Sequence, residues 1–205
     1  LNDDESIIEL RKEALALFED GGMSPDMVNL ASGEYVVQIK GGQEQYAVSP
    51  RSVEYVVSTT KHFGSLVKGM PNLDDANCLG RMRTFDRQAS KAAIDLLMAK
   101  EEGEQEESAD GGDDAVRKVP FRCLVDREDA ADQRRLSIRY YLVPPSWDNA
   151  AGGGMAFDEE STIHARSDRL VVWKSADAAF HSNPWKGNES SRFGSCIEID
   201  LIQRA

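Results

Sequence analysis

The chain has 205 residues, of which 40% are apolar, so it is long enough to bury a full core and needs no more than one compact domain. Its formal net charge of −12 argues against a general nucleic-acid-binding protein, because phosphate neutralisation needs clustered Lys and Arg, and here these residues are scattered. No apolar run approaches the roughly 20 residues of a membrane helix. We therefore expect a soluble protein whose acidic surface favours basic or neutral partners.

The N-terminus and the cysteines give little information on the compartment. The first residues lack the basic and then apolar layout of a signal peptide, but the chain begins with Leu1, which leaves open an earlier removal of a targeting segment, including an organellar one. Cys78, Cys123 and Cys196 show no C-x-x-C spacing and are odd in number. This pattern favours neither a zinc site nor a disulfide framework, and we interpret all three as buried small apolar residues.

The first hundred residues have mainly helical patterns. Apolar residues at three- and four-residue spacing indicate helices, and β-branched residues between glycines indicate a strand. Pro50 suits the first turn of a helix, where its missing N–H does no harm. The predicted elements are a helix over 7–18, a strand over 34–40, a second strand over 46–48 that pairs with it, and helices over 50–67 and 84–100.

The middle of the chain divides it into parts. Residues 101–114 contain eight acidic residues and no large apolar one, so we expect a solvated linker or surface insertion there. Residues 1–100 are expected to form a helical N-terminal part, and residues 115–205 a β core within the same domain. The predicted strands of this core cover 119–125, 136–143, 155–157, 162–165, 170–174 and 192–202.

Six motifs in one order point to a family. They are Arg135-Leu-Ser-Ile-Arg-Tyr-Tyr-Leu142, Trp147-Asp148, Gly152-Gly-Gly-Met-Ala-Phe157, Ser167-Asp-Arg-Leu-Val-Val-Trp173, Phe180-His181 and Arg192-Phe193. Together they resemble the prolyl 4-hydroxylase branch of the Fe(II)/2-oxoglutarate-dependent oxygenases, in particular the hypoxia-factor prolyl hydroxylases. The resemblance spans residues 119–202, about two-fifths of the chain. It implies an α+β fold, a double-stranded β-helix (jelly-roll) core with N-terminal helices packed on one side.

The same resemblance implies a metal site with one ligand missing. The family binds Fe(II) through a His-x-Asp pair and a second histidine, which leaves positions open for 2-oxoglutarate and O₂. Asp126 matches the carboxylate and His181 the second histidine, but Leu124 stands where the first histidine belongs. Neither His62 nor His164 begins a His-x-Asp or His-x-Glu sequence that could substitute locally.

Two further residues match the family's 2-oxoglutarate site. Arg192 follows His181 by eleven residues and corresponds to the arginine that binds the far carboxylate of 2-oxoglutarate through two charge-assisted hydrogen bonds. Tyr141 matches the tyrosine whose hydroxyl helps to hold the same carboxylate. Because Tyr140 and Tyr141 alternate along a strand, only one of them can point inward.

Leu124 decides between two functions. A degenerate oxygenase, kept as a binding or structural subunit of a larger assembly, is favoured because leucine offers no lone pair to a metal. The alternative is an active Fe(II)/2-oxoglutarate dioxygenase that hydroxylates a prolyl or other protein side chain, as the retained Asp126, His181 and Arg192 suggest. A third interpretation, an unrelated jelly roll without a site, predicts that Asp126 and His181 lie far apart.

Overall fold

A computed structural model of the chain describes residues 4–26, 33–66, 73–89, 134–157, 161–175, 181–189 and 191–203, with the backbone alone at 4, 64–66, 73–77, 181–182 and 203. The helices are α1 (Asp4–Glu19), α2 (Gln43–Val48) and α3 (Pro50–Leu66), and a 3₁₀ turn covers Asn149–Ala151. The strands are β1 (Ser24–Pro25), β2 (Glu34–Ile39), β3 (Leu73–Asp86), β4 (Arg134–Tyr141), β5 (Met155–Ala156), β6 (Thr162–Ile163), β7 (Arg169–Lys174), β8 (His181–Ser182) and β9 (Phe193–Gln203).

These strands form two antiparallel sheets. The larger sheet has six strands in the order β1-β2-β3-β9-β4-β7, and the smaller has three in the order β6-β5-β8. In the larger sheet Tyr141 lies opposite both Cys196 and Arg169, which fixes the register of β4 between β9 and β7. Long antiparallel neighbours with this register place every second residue of β3, β9 and β4 on the same face.

One face of the larger sheet, called here the outer face, is apolar and covered by helices α1 and α3. Tyr55 of α3 stacks on Tyr140 of β4 with the ring centroids 4.8 Å apart. The outer face contributes the fully or nearly fully buried side chains Met82, Ile138, Tyr140, Ile197, Ile199 and Leu201. No helix in the part of the chain that the structure describes is long and apolar enough to cross a membrane.

Arg11 ties helix α1 to the end of β4. Its Nε donates a hydrogen bond of 2.7 Å to the carbonyl of Leu142, and its Nη2 donates to the carbonyl of Val143 at 2.6 Å and to the Ser167 hydroxyl at 2.5 Å. Burial lowers the pKa of this guanidinium, although the negative partners around it favour the charge. The three acceptors hold the helix over one end of the sheet.

The opposite face of the larger sheet, the inner face, meets the smaller sheet. A second apolar cluster between them joins Tyr141 and Cys196 to Met155, with Trp147 and Trp185 packed at the same place. Gly153 has a φ of 76°, and an added Cβ would collide with the Trp185 ring. Glycine is therefore required there, both for the backbone and for the close approach of the indole.

The structure corrects the expected hairpin of the first half. Residues 46–48 belong to α2 rather than to a strand, because the Tyr46 N–H donates to the Gly42 carbonyl at 2.9 Å, in the spacing of a helix. Tyr46 and Val48 are 49% and 55% exposed, so these two apolar residues lie on the surface of a helix and are not buried in a sheet. β2 pairs instead with β1 and β3.

The third predicted helix also needs correction. Thr84 to Asp86 continue β3, and helical backbone begins only at residue 87, where Asp86 Oδ1 accepts the N–H groups of Gln88 and Ala89 at 2.9 Å each. The remainder of that helix, the acidic 101–114 segment and the predicted 119–125 strand lie outside the described residues. The described part of the first hundred residues thus contains helices as expected, but it also supplies three strands of the main sheet.

The other strand predictions are confirmed to within a few residues. The patterns over 34–40, 136–143, 155–157, 162–165, 170–174 and 192–202 correspond to β2, β4, β5, β6, β7 and β9. The helices over 7–18 and 50–67 correspond to α1 and α3. No strand was predicted for β3, although its fourteen residues run beside β9 at the centre of the sheet.

Candidate functional site

Charged side chains line the inner face where an apolar pattern would be expected. They come from alternate positions of three neighbouring strands and from the β1–β2 region. Together they form the inner ion network, which we define as Arg81, Arg83, Arg139, Asp26, Glu34, Glu198 and Asp200. Three arginines thus face four carboxylates on the side of the sheet that also carries Tyr141.

Glu198 is the centre of this network. Its Oε2 accepts a 2.6 Å hydrogen bond from Arg83 Nε, and its Oε1 accepts one from Arg139 Nη2. Arg83 and Arg139 are 5% and 2% exposed, and Glu198 is 7% exposed. Both oxygens of the carboxylate are therefore bound by arginines in a site from which water is nearly excluded.

The rest of the network adds partners to Arg83, Glu34 and Asp200. Arg83 Nη1 also donates to Asp26 at 2.5 Å and to Glu34 at 3.2 Å, and Trp185 Nε1 donates to the other oxygen of Glu34. Two residues along the same strands, Arg81 of β3 binds Asp200 of β9. The second carboxylate oxygen of Asp200 accepts a 2.7 Å hydrogen bond from the Ser137 hydroxyl.

The electrostatics keep this network charged. Burial alone would raise the pKa of Glu198, but the charges of Arg83, Arg139 and Arg81 hold that pKa well below its ordinary value. Burial alone would lower the pKa of Arg139 and Arg83, and the facing carboxylates raise both instead. For Asp200, burial prevails over Arg81 and raises the pKa. Arg83 and Arg139 thus keep their charge through carboxylates of the same chain.

Tyr141 faces inward, as one of the two adjacent tyrosines must. Its hydroxyl oxygen exposes less than 1 Å² of surface. Burial raises the pKa of this phenol to about 12 despite the nearby Arg139 charge. Trp185 and Arg139 lie against the ring, with 6.5 Å between the aromatic centroids and 6.0 Å from the guanidinium carbon to the ring centre. Tyr140 points to the outer face and donates to Asp168 at 2.6 Å.

Arg192 lies at the rim of the sheet, just before β9. Its side chain is 57% exposed, and its Nε donates a 2.6 Å hydrogen bond to Asp86 Oδ2. The structure therefore places Tyr141 in an enclosed position and Arg192 on the surface with a carboxylate already bound.

The expected metal ligands are described only in part. Asp126 and Leu124 lie outside the described residues, and of His181 the backbone alone is described, opposite Ala156 in the smaller sheet. Within the described ranges no group of three or more His, Cys, Asp or Glu side chains could hold a metal ion. The metal roles of Asp126 and His181 therefore stay predictions from the sequence.

Sequence analysis did not identify the inner ion network. The sequence does contain a charge pattern that corresponds to it. Arg81-Met-Arg83 on β3 and Glu198-Ile-Asp200 on β9 carry opposite charges at every second position, which is the spacing of residues on one face of a sheet. That signal becomes meaningful only when the two strands are known to be neighbours, and they are more than a hundred residues apart.

Solved structures of known proteins resemble this chain. A prolyl-4-hydroxylase from Pseudomonas putida matches 99% of the chain and 89% of its own length, with a TM-score of 0.66 and 15% identity. A prolyl 4-hydroxylase from Phytophthora capsici matches 97% of the chain and 55% of its own length, with a TM-score of 0.62 and 14% identity.

A third similar structure is a prolyl hydroxylase from Trichoplax adhaerens, in complex with a peptide of the hypoxia inducible factor oxygen degradation domain. It matches 98% of the chain and 79% of its own length, with a TM-score of 0.55 and 15% identity. Compared by sequence alone, the chain matches no protein family and no curated protein. The chain therefore has the fold of the prolyl 4-hydroxylases and other 2-oxoglutarate oxygenases, a jelly-roll core with helices packed on one side of its larger sheet.

Proposed function

We propose that this chain is a catalytically degenerate form of the prolyl-hydroxylase-like fold that acts as a binding or structural subunit of a larger protein assembly. The observation that carries the proposal is the enclosed inner face, where Tyr141 has no exposed hydroxyl and the arginines are bound by carboxylates of the chain itself. The partner would be another protein of that assembly, and the acidic composition favours a basic or neutral surface on it.

The metal side of the proposal rests on the sequence. Leu124 stands where the resemblance requires a histidine, and an alkyl side chain has no lone pair to donate to Fe(II). Asp126 and His181 would leave the ion with one carboxylate and one imidazole from the protein. We expect its affinity for Fe(II) to be far below that of a relative with all three ligands.

The 2-oxoglutarate side of the proposal rests on the described residues, which do not fit the molecule. A tyrosine that holds a ligand carboxylate must border the ligand, but the Tyr141 hydroxyl borders no open space. Arg192 is turned to Asp86 at the rim. To bind 2-oxoglutarate, Arg83 and Arg139 would have to release Glu198 and bind the carboxylate of 2-oxoglutarate instead. Burying a second anion beside Glu198 would add repulsion in a site with little water.

The alternative is an active Fe(II)/2-oxoglutarate dioxygenase acting on a prolyl or other protein side chain. It is favoured by the joint presence of Asp126, His181 and Arg192 at the positions of the family motifs. The peptide bound to the Trichoplax adhaerens structure makes a protein substrate the natural candidate for such an activity. Under this alternative Fe(II) and 2-oxoglutarate are the cofactor and co-substrate.

Succinate formation separates the two functions. Purified protein is incubated with Fe(II), 2-oxoglutarate and ascorbate, and succinate is compared with that of the His181→Ala variant. We expect equal, background succinate from both proteins. Turnover that depends on His181 would overturn the proposal and establish the alternative.

Metal binding tests the ligand argument independently of turnover. We expect calorimetric titration with Mn(II) to show no binding tighter than the millimolar range in the wild-type chain, and a clear gain in affinity for Leu124→His. Leu124→Ala is the matched control, because it changes the same side chain without supplying a ligand. A folded Leu124→His protein with unchanged affinity would show that residue 124 does not face a metal site.

A further inference from the structure

We infer that Arg139 and Arg83 form a carboxylate-binding site on the inner face and that its ligand is the chain's own Glu198. This inference deepens the proposed function and rests on it, since it names the group that fills the face on which a 2-oxoglutarate oxygenase would need space. Glu198 serves as a tethered internal anion, so a free dicarboxylate finds no vacant arginine there.

The geometry is that of ligand recognition. Each oxygen of Glu198 accepts from a different arginine, Oε2 from Arg83 at 2.6 Å and Oε1 from Arg139. A third cation is near, with Arg81 Nε 4.0 Å from Oε2. Charge-assisted hydrogen bonds to both oxygens are the means by which proteins hold free carboxylates, and they are roughly twice as strong as neutral ones.

The site lies beside Tyr141. Glu198 is directly opposite Arg139, and Cys196 is directly opposite Tyr141, so the two pairs are neighbours along the same face of β4 and β9. The Arg139 guanidinium carbon is 6.0 Å from the Tyr141 ring centre. An arginine and a phenol therefore stand side by side on the inner face, and the carboxylate that accompanies them belongs to the protein.

Tethering explains why an external anion cannot compete. The carboxylate of Glu198 is held at its binding site by the β9 backbone, so its effective concentration there exceeds what a dissolved ligand can reach. The site is also dry, with Arg139 2% exposed and Glu198 7% exposed. A dissolved dicarboxylate would have to lose its hydration and displace the Glu198 carboxylate. Glu198 loses little entropy on binding the arginines, because the β9 backbone already holds it in place.

Removal of the tethered anion should turn this face into a binding site for acetate. Glu198→Ala deletes one methylene and the carboxylate, which together have the size and charge of acetate. At about ten times its Kd, acetate is expected to raise the Tm of Glu198→Ala by roughly 3–6 °C relative to chloride at equal ionic strength. Neither acetate nor 2-oxoglutarate is expected to raise the Tm of the wild-type chain.

Three controls separate specific binding from a general salt effect. Glu198→Gln keeps the volume of the side chain and should not respond to acetate. The double variant Glu198→Ala/Arg139→Met removes the proposed donor and should lose the response. Glu54→Ala breaks the exposed Arg51–Glu54 pair, whose side chains are 61% and 46% exposed, and should show none.

The outcomes decide the inference in each case. A saturable rise in Tm for Glu198→Ala alone supports it, and an equal response of wild type or Glu198→Gln overturns it. If Glu198→Ala is unfolded in chloride, recovery of its native circular dichroism in acetate supports the inference and no recovery overturns it. Succinate formation by the wild-type chain would instead remove the proposed function, whatever acetate does to the variant.

Discussion

The two faces of the larger sheet are built from the same strands and obey different physical rules. On the outer face Ile138, Ile197 and Ile199 are buried under helices and need only apolar neighbours of suitable volume. On the inner face Arg139 and Glu198 are equally buried but need named partners at hydrogen-bonding distance. The outer face can therefore tolerate exchange among apolar residues, whereas each inner position depends on the identity of another.

The largest effect is expected when one member of the inner pair is removed alone. Glu198→Ala leaves two buried guanidinium groups without their shared carboxylate, and we expect a loss of about 3–5 kcal/mol in the free energy of unfolding. Replacing both partners, as in Glu198→Leu/Arg139→Met, should cost less than the single change, since the two arginines that remain near residue 198, Arg83 and Arg81, still have other carboxylate partners. Urea unfolding of the two variants measures this difference, and a double variant less stable than Glu198→Ala would contradict the comparison.

A loss of apolar volume tests the outer face in the same strand. Ile199→Ala should destabilise the chain by about 3 kcal/mol, from lost burial and from the cavity left below α3. Ile199→Val is the matched control and should cost about 1 kcal/mol. Both losses should be the same at low and high salt, because no charge is involved. A strong salt dependence for Ile199→Ala would show that the two faces are energetically coupled.

Acid should reveal the charge on the inner face. The folded pKa of Glu198 is depressed, so the unfolded chain takes up this proton first as the pH falls below about 4.3. From that pH down to the folded pKa, Glu198 should contribute a loss of up to about 1.4 kcal/mol in unfolding free energy per pH unit. In Glu198→Gln the unfolding free energy, measured by urea unfolding at each pH, should fall less steeply below this pH, by up to about 1.4 kcal/mol per pH unit.

Asp200 provides a control of opposite sign for the acid experiment. Because burial raises its folded pKa, protonation of Asp200 favours the folded chain as the pH falls. Asp200→Asn should therefore make the acid loss steeper, whereas Glu198→Gln makes it shallower. The same shift in both variants would mean that the inner face titrates as a single unit without distinct sites.

The smallest effect is expected at the rim. Arg192→Ala removes an ion pair whose arginine is 57% exposed, and Asp86 keeps its two backbone N–H partners. We expect a change of no more than about 1 kcal/mol in urea unfolding. A loss as large as that of Glu198→Ala would show that Arg192 supports the inner face.

The outer face was predictable from the sequence because burial leaves a local pattern. Apolar residues at three- and four-residue spacing located α1 and α3, and alternation in 136–143 located β4. The family motifs then gave the jelly-roll fold, which the structural matches confirm. The pattern failed at Tyr46 and Val48, since single exposed apolar residues on a short helix resemble the start of a strand.

The inner face was not predictable, for the complementary reason. Arg81 and Arg83 give β3 a polar sequence, and nothing near them in the sequence indicates which carboxylates neutralise them. Arg83 pairs with Glu198, 115 residues later, and Arg81 pairs with Asp200, 119 residues later. The resemblance matched Tyr141 to the family's tyrosine but left open which of the two adjacent tyrosines points inward, and the structure has Tyr141 on the inner face with its hydroxyl enclosed. The assigned roles of Tyr141 and Arg192 at 2-oxoglutarate stay predictions.

The contacts of Arg11 have a consequence for the time course of folding. They join residues 131, 132 and 156 positions apart in the sequence, to Leu142, Val143 and Ser167. Contacts of such long range form late and slow the folding rate, because the intervening chain must first be brought together. We therefore expect helix α1 to be fixed in place only after β4 and β7, which follow it by more than a hundred residues in the sequence, have found their register.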